Sequence, residues 1–155
     1  MYSIRQMTRH EWSWLKSEDF HHLFEQLTTS SQMSEEAFKN WYVKLLSQQN
    51  TYMYGVLINR NQLVGIGILL IEEKYYRQPS ANKPGKSGHI EDIIIDKEHR
   101  GRKLGQRLIQ FMKQQAQEKG CYKIQLHCGK DLETFYKKQG FMSNKVSMEI
   151  YFIEK

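Results

Sequence analysis

Residues 88–106, GHIEDIIIDKEHRGRKLGQ, carry the strongest structural signal in the chain. The first half is rich in isoleucine and predicts a buried strand, with Glu91 and Asp92 in its middle. The second half is a basic glycine turn, residues 100–103, which leads into an amphipathic helix from Leu104. At such a helix start several backbone N–H groups lack partners and the helix dipole is positive, so the pattern favours phosphate binding.

The basic glycine turn by itself is a weak signal, because a plain connection with solvated basic residues gives the same pattern. The two carboxylates strengthen the functional interpretation. Burying Glu91 beside Asp92 in an isoleucine-rich strand costs free energy unless a partner compensates. Carboxylates next to a phosphate-binding turn therefore indicate a site. The alternative for Glu91 is a structural ion pair with a buried basic residue.

Length and composition limit the class of protein. The chain has 155 residues and a net charge of +6, and we expect one domain over residues 1–155. Its start resembles no signal peptide and no apolar run nears the ~20 residues of a membrane span, so we expect a cytoplasmic protein without membrane association. Cys121 and Cys128 have no metal-ligand spacing, which predicts free thiols and no metal. The basic residues form no long stripe, which argues against nucleic-acid binding.

The hydrophobic pattern predicts a mixed α/β domain. The elements follow in the order strand, two helices, three strands, helix, strand, helix and strand. The helix from Leu104 connects strands at residues 90–96 and 122–128. A helical crossover of this kind joins parallel neighbours, so these two strands are expected to pair in parallel.

The two ends of the chain have their own patterns. Thr8 and Glu11 fit a capping box that starts a first helix running to Leu27, with a kink near Ser17. Residues 141–153 predict a last strand or pair of strands. Between the third and fourth strands, residues 72–87 form a polar loop that is long for a compact domain, and loops of this length are usually functional or mobile.

Four motifs in this order resemble one family. RGRKLG at residues 100–105 is similar to the acetyl-CoA motif of the GNAT acyltransferase superfamily, Arg/Gln-x-x-Gly-x-Gly/Ala. Together with GHIED (88–92), CYKI (121–124) and FYKKQGF (135–141), and with FEQLT (24–28) near the start, it makes nearly the whole chain resemble the eukaryotic-type glucosamine-6-phosphate N-acetyltransferases. The resemblance implies the GNAT acyl-CoA N-acyltransferase fold: a twisted, mostly antiparallel sheet with one splayed parallel pair, flanked by helices.

The same resemblance implies a reaction and a cofactor site. Acetyl would pass from acetyl-CoA to the 2-amino group of D-glucosamine 6-phosphate, in UDP-N-acetylglucosamine biosynthesis. The implied cofactor-binding residues are Ile93, Ile94 and Ile95 along pantetheine, Arg100, Gly101, Arg102, Lys103, Leu104, Gly105 and Gln106 around the pyrophosphate, and Tyr136 and Lys138. Lys103 stands where the family motif has a glycine, which matters if the backbone there requires positive φ.

The catalytic residues implied by the resemblance are Glu91, Asp92 and Tyr136. Glu91 is expected to take a proton from the amine, directly or through water, and Asp92 to orient the sugar. Neighbouring strand residues face opposite sides, so either a bulge intervenes or one of the two contributes only its backbone. A backbone N–H near Ile93 is the expected oxyanion donor, and Tyr136 the acid for the leaving thiolate. The alternative for Tyr136 is simple packing beside Phe135.

The implied substrate-binding set also includes Thr28, His89, Tyr122, Lys123 and His127. His127 stands where the family usually has an acidic residue; a neutral imidazole accepts from an amine, whereas a protonated one repels an ammonium. Residues 83–89 are expected to close over the sugar, and Tyr151 sits where the family has a basic residue near the phosphate. The family builds this site at a homodimer interface, so we expect a homodimer.

Two other functions stay open at this point. Another GNAT enzyme, acting on a protein amine or a polyamine, would share the basic turn but would not need GHIED or CYKI. A non-catalytic acyl-CoA-binding module belongs to a different class, and Lys103 and His127 are the departures that permit it.

Overall fold

Five strands form one sheet at the centre of the chain in a computed structural model, which describes residues 1–28, 31–74 and 85–154. The strands are β1 (Tyr2–Gln6), β2 (Thr51–Ile58), β3 (Gln62–Glu73), β4 (Lys86–Ile95) and β5 (Cys121–Leu126). They lie in the order β1-β2-β3-β4-β5. Every neighbouring pair is antiparallel except β4 and β5, which are parallel, so the predicted sheet is confirmed.

Helices cover both faces of the sheet. They are α1 (Ser17–Phe24), α2 (Glu35–Leu46), α3 (Leu104–Glu118) and α4 (Glu133–Lys138), with short 3-10 turns at Arg9–Ser13, Lys97–His99 and Lys130–Leu132. One core packs α1 and α2 against the sheet through residues such as Phe20 and Phe38. A second core packs α3 on the opposite face through Leu108 and Met112. Of the helices described, none is long and apolar enough to cross a bilayer.

The first helix is shorter than predicted. The capping box of Thr8 and Glu11 forms as expected, but it starts a 3-10 turn instead of a long helix. A second N-terminal cap follows, in which the Asp19 carboxylate accepts from the backbone N–H of Lys16 at 3.0 Å. Because this cap restarts the chain as α1 at Ser17, the break lies where the kink was predicted, but the prediction of one helix reaching Leu27 was wrong.

The predicted strand at residues 141–153 does not form in the single chain. We call residues 141–154 the C-terminal segment. Its side chains Val146, Met148, Ile150 and Phe152 are 88%, 91%, 81% and 94% exposed. A strand needs a neighbour for its backbone N–H and C=O groups, and in the chain as described this segment has none. The apolar alternation is real, but alternation alone does not supply the pairing partner.

Candidate active site

A β-bulge lies in the middle of β4. Ile68 of β3 pairs with Glu91 and Ile66 pairs with Ile94, so two β4 residues face a single β3 residue between these pairs. Asp92 is one of the two, and its φ of 49° is in the left-handed region. The sequence left open whether a bulge or a backbone-only contribution reconciles the two adjacent carboxylates, and the structure contains the bulge.

Beyond the bulge, β4 separates from β5. The parallel pairing runs from Lys86 with Cys121 to Ile90 with Leu126, and it ends there. Residues 91–95 pair with β3 alone among the described strands. The outer edge of this half-strand therefore presents backbone N–H and C=O groups to a gap, where an extended ligand can pair as an added strand. This geometry supports the predicted contact of Ile93–Ile95 with pantetheine.

The basic turn has the backbone of an anion site. Gly101 and Lys103 are both left-handed, with φ of 77° and 58°. Lys103 is the N-cap of α3 and its side chain does not cap the helix, so the N–H groups of Leu104, Gly105 and Gln106 lack a side-chain partner there. A Cβ built on Gly101 would meet no atom within 4 Å, so the space above it is open. The turn therefore suits a phosphate group.

The backbone at Lys103 answers the question that the sequence raised about this position. Its φ of 58° means that a lysine occupies a conformation which glycine adopts freely. For a residue with a Cβ the left-handed conformation costs about 1–2 kcal/mol. The turn is formed all the same, so the left-handed conformation at Lys103 strains the backbone without preventing the turn.

His89, Glu91 and His127 form a polar cluster where β4 and β5 separate. His89 Nε2 lies 2.9 Å from Glu91 Oε1, and the centroids of the two imidazole rings are 5.2 Å apart. The side chains of His89 and Glu91 are 22% and 44% exposed, so a solute can reach them. The ion-pair alternative for Glu91 requires a buried basic residue, whereas its partner is a partly exposed histidine. A carboxylate joined to an imidazole is a suitable proton acceptor.

Asp92 is exposed and Glu91 is 44% exposed, so the prediction of two buried carboxylates was wrong. Desolvation raises the pKa of the Asp92 carboxyl above its ordinary value, and the adjacent negative charge of Glu91 raises it further. The bulge gives Asp92 a left-handed backbone conformation that an ordinary strand residue does not have. This difference is compatible with the separate roles predicted for them, and the role of Asp92 towards the sugar stays a prediction.

Tyr136 lies buried on α4 between two aromatic rings. Its ring centroid is 5.1 Å from that of Phe135 and 5.8 Å from that of Phe141. Burial raises the pKa of its hydroxyl, and Cys128 raises it further, so the phenol keeps its proton at neutral pH. A methyl group built on Gly105 would lie 3.7 Å from Phe135, which places α4 against the start of α3. Packing surrounds the ring, as the alternative requires, and the donor role stays a prediction.

The remaining predicted residues are located by their positions in the fold. Tyr122 and Lys123 lie on β5, and Lys123 Nζ is 5.8 Å from the Tyr122 ring centroid. Thr28 and Lys138 are exposed. Among the described residues, neither makes a hydrogen bond or ion pair with Glu91, the predicted base. The loop expected to close over the sugar, residues 83–89, begins outside the described residues, because residues 75–84 are not among them. Residues 86–89 belong to β4, so the prediction that they are part of a closing loop was wrong.

A cavity of about 620 Å³ opens beside His127. Glu149, which the sequence analysis did not select, is one of the residues that line it. The cavity's lining residues are His127, Cys128, Gly129, Ser147, Glu149 and Tyr151. The Tyr151 hydroxyl donates to Glu149 at 2.7 Å. Glu149 could have been found from the alternation of the C-terminal segment, because Ser147, Glu149 and Tyr151 share one face of an extended chain.

Comparisons with known proteins agree with this geometry. The acetyltransferase (GNAT) family model matches residues 3–141. Glucosamine 6-phosphate N-acetyltransferase 1 of rice, Oryza sativa subsp. japonica, is 33% identical over 88% of this chain and 81% of its own length. The glucosamine 6-phosphate N-acetyltransferase of Candida albicans is 36% identical over 79% of each chain.

Solved structures give the same result. The crystal structure of glucosamine-6-phosphate N-acetyltransferase from Arabidopsis thaliana superposes with a TM-score of 0.84 at 26% identity. The superposition covers 99% of both chains, so it includes the sheet, the bulged strand and the basic turn.

Proposed function

The chain belongs to the acetyltransferase (GNAT) family, and on that basis we propose that it transfers acetyl from acetyl-CoA to the 2-amino group of D-glucosamine 6-phosphate. The products are N-acetyl-D-glucosamine 6-phosphate and CoA, and the step serves UDP-N-acetylglucosamine biosynthesis. The observation that carries the proposal is the free edge of residues 91–95 between the phosphate-binding turn and the His89–Glu91 pair.

In this proposal acetyl-CoA binds at two neighbouring places, the N-terminus of α3 and the unpaired edge of β4. Its pyrophosphate matches the uncapped N–H groups at this N-terminus and the charges of Arg100 and Arg102. Its extended pantetheine matches the unpaired edge of β4. Bound in this way, the thioester is the acetyl donor, and the reaction needs no metal.

The acceptor amine must lose a proton before it attacks. In our proposal the Glu91 carboxylate takes that proton, directly or through water, while its contact with His89 holds it in place. The nitrogen lone pair then forms the C–N bond, and a backbone N–H near Ile93 stabilises the oxyanion. The C–S bond breaks as the oxyanion collapses, and Tyr136 gives its proton to the departing thiolate. The second amine proton leaves the nitrogen to solvent as the amide forms, and solvent returns a proton to the Tyr136 phenolate and takes the one held by Glu91.

The sugar phosphate requires cations, and the β5 face offers them. Lys123 lies on β5 beside Tyr122, on the strand that borders the gap. His127 replaces the acidic residue that the family resemblance leads one to expect near the amine, and its ring lies 5.2 Å from that of His89. Glu149 of the C-terminal segment lines the cavity beside His127, so an acidic group remains close to this position.

We propose a cytosolic homodimer built from a single domain over residues 1–155. The four apolar side chains of the C-terminal segment are each more than 80% exposed in one chain, and apolar exposure of this extent marks an interaction surface. The segment alternates like a strand, and the outer edge of β5 has no partner among the described strands. A second copy that supplies a strand would satisfy both, and would complete the site beside His127.

The oligomeric state can be tested on this segment. Replacing Ile150 and Phe152 by glutamate should convert the dimer to a monomer in light scattering coupled to size-exclusion chromatography. Lys145→Glu, in the same exposed segment, should leave the dimer intact. A wild-type monomer at tens of micromolar would contradict the dimer proposal without affecting the reaction.

The reaction is tested by measuring CoA thiol release from acetyl-CoA with glucosamine 6-phosphate, glucosamine and spermidine in parallel. We expect strong release only with the phosphorylated sugar, because the phosphate adds charge-assisted contacts. Release only with spermidine would identify another GNAT activity. Binding of CoA without release on any of the three amines would identify a non-catalytic acyl-CoA-binding module.

A further inference from the structure

Residues far from the basic turn in sequence make direct hydrogen bonds to it. Gln26, which follows α1, accepts from the backbone N–H of Lys97 at 2.9 Å and from Arg100 Nη2 at 3.2 Å through its Oε1. Its Nε2 donates to the carbonyl oxygen of His22 at 3.1 Å. Each end of the amide thus has a defined partner, so the oxygen faces the turn and the nitrogen faces α1.

The contact from Gln26 determines how the Arg100 side chain is held. Arg100 Nε donates to the carbonyl oxygen of Ile95, the last residue of β4, at 3.0 Å. With Nη2 on Gln26, the guanidinium is tied at two points to the protein, and its other donors remain for a ligand. An arginine held in one orientation loses less conformational entropy when it binds a phosphate than a freely rotating one.

A second contact holds the other side of the turn. Tyr2 of β1 accepts from Arg102 Nη1 at 2.8 Å through its hydroxyl, and that hydroxyl lies 2.9 Å from His99 Nδ1. The Tyr2 ring also packs edge-on against the His99 ring, with centroids 5.8 Å apart. The two arginines of the turn are therefore each oriented by a residue from a different element, Arg100 by Gln26 and Arg102 by Tyr2.

We propose that Gln26 and Tyr2 are positioning residues for the pyrophosphate site, which fix Arg100 and Arg102 before acetyl-CoA binds. This inference rests on the proposed function, because it concerns how that function's cosubstrate is bound. Neither residue touches the reacting atoms, so each acts through its arginine. Loss of either should weaken acetyl-CoA binding and leave the chemical step unchanged.

The test is a double-mutant cycle on Gln26 and Arg100. We expect Gln26→Ala to raise KM for acetyl-CoA and Kd for CoA about three- to tenfold with kcat within twofold of wild type. In an Arg100→Ala background the same substitution should add less than twofold. Gln110→Ala, an exposed glutamine on α3, is the matched control and should change neither constant. Tyr2→Phe with Arg102→Ala forms the parallel cycle.

Acetyl-pantetheine, which lacks the pyrophosphate, separates positioning from general damage to the fold. The wild type and Gln26→Ala should use it with the same kcat/KM. Equal losses with both donors, or additive effects of Gln26→Ala and Arg100→Ala, would overturn the inference. If the wild type bound no CoA, the proposed function itself would fail, whereas CoA binding that is unchanged in Gln26→Ala and Tyr2→Phe would refute only the positioning roles.

Discussion

Strand β4 consists of two halves with different surroundings. Residues 86–90, the closed half, pair with β3 on one side and β5 on the other. Residues 91–95, the open half, pair with β3 alone among the strands that the structure describes. The closed half is structural because both its edges form backbone hydrogen bonds with neighbouring strands. In the open half one edge still has backbone donors and acceptors that can pair with a ligand. The site follows from this difference within one strand.

The change from closed to open takes place at the bulge, and glycine on β3 makes it possible. A Cβ on Gly67, opposite the bulge, would lie 2.6 Å from Met112 Sδ and 3.0 Å from Ile93 Cδ1. Only a residue without a side chain lets Ile93 and α3 approach the sheet this closely. The extra residue at the Asp92 bulge then moves the side chain of every later β4 residue to the opposite face of the sheet from the one that strict alternation predicts. Glu91 and Ile94 consequently share a face that strict alternation would deny them.

The largest effect should come from the first residue of the open half. Glu91→Gln keeps the shape of the side chain but removes its ability to take a proton, so we expect kcat to fall about 10²–10⁴-fold. CoA affinity should be unchanged, because the phosphate turn and the strand edge remain. Steady-state kinetics and calorimetry measure the two quantities, with Glu36→Gln on the exposed face of α2 as control. A Glu91→Gln enzyme with normal kcat would exclude this carboxylate as the base.

Glycine substitutions should distinguish the two halves in stability. A Cβ on Gly65, which pairs with Ile95 of the open half, would lie 2.8 Å from the backbone oxygen of Ile94. A Cβ on Gly88 in the closed half would meet side-chain methyl groups of Ile124 at 2.9 Å and Leu69 at 3.1 Å, which can move. We expect Gly65→Ala to lower the free energy of unfolding by about 1–3 kcal/mol, and Gly88→Ala by less. Urea unfolding measures both, and the reverse order would show that the open half tolerates rearrangement.

The sequence predicted the sheet and the turn because their signals are local. The isoleucine run of residues 93–95 and the glycine turn at Gly101 each determine their backbone through neighbouring residues. The bulge was recognised only as one of two solutions, since two adjacent carboxylates reveal the conflict but not how the chain resolves it. The positive φ of Lys103 was likewise a question that only the backbone could answer.

The sequence failed where structure depends on distant or absent partners. The C-terminal segment alternates like a strand, but pairing requires a neighbour that the single chain does not provide. The contacts of Gln26 and Tyr2 with the turn join residues 74 and 100 positions apart, and no local pattern encodes them. His89 and Glu91 are two residues apart on one strand face, so their contact was within reach of a simple alternation argument.

A smaller change in stability is expected for Lys103, the last residue of the basic turn that follows the open half. Lys103→Gly should relieve the left-handed strain and raise the free energy of unfolding by about 0.5–1 kcal/mol. The gain is smaller than the full strain energy because glycine has more conformational freedom in the unfolded chain. Lys103→Ala is the matched control, because it removes the same charge and keeps the Cβ. KM for acetyl-CoA should rise equally in both variants. Equal unfolding energies for the two would show that the backbone at this position is not strained.

The smallest effect concerns two aspartates, Asp92 within the open half and Asp96 directly after it. The pKa of Asp92 is raised, first by desolvation, so its ionised form is disfavoured in the fold at pH 7. Asp92→Asn should therefore raise Tm by about 1–2 °C at pH 7, and asparagine tolerates the left-handed φ. The gain should shrink as pH falls through the raised pKa and vanish below the ordinary value of 3.8.

Asp96, just after the open half, should behave with the opposite sign. Desolvation raises its pKa, but the N–H of Glu98 and the side chain of His22 outweigh it, so the pKa is lowered and the ionised form stabilises the fold. Asp96→Asn should lower Tm at pH 7, and the loss should disappear as pH falls below 3.8 through the lowered pKa. Thermal unfolding from pH 3 to 7 tests both variants together. Tm shifts of the same sign would contradict the opposite pKa shifts of Asp92 and Asp96 from which the two predictions are drawn.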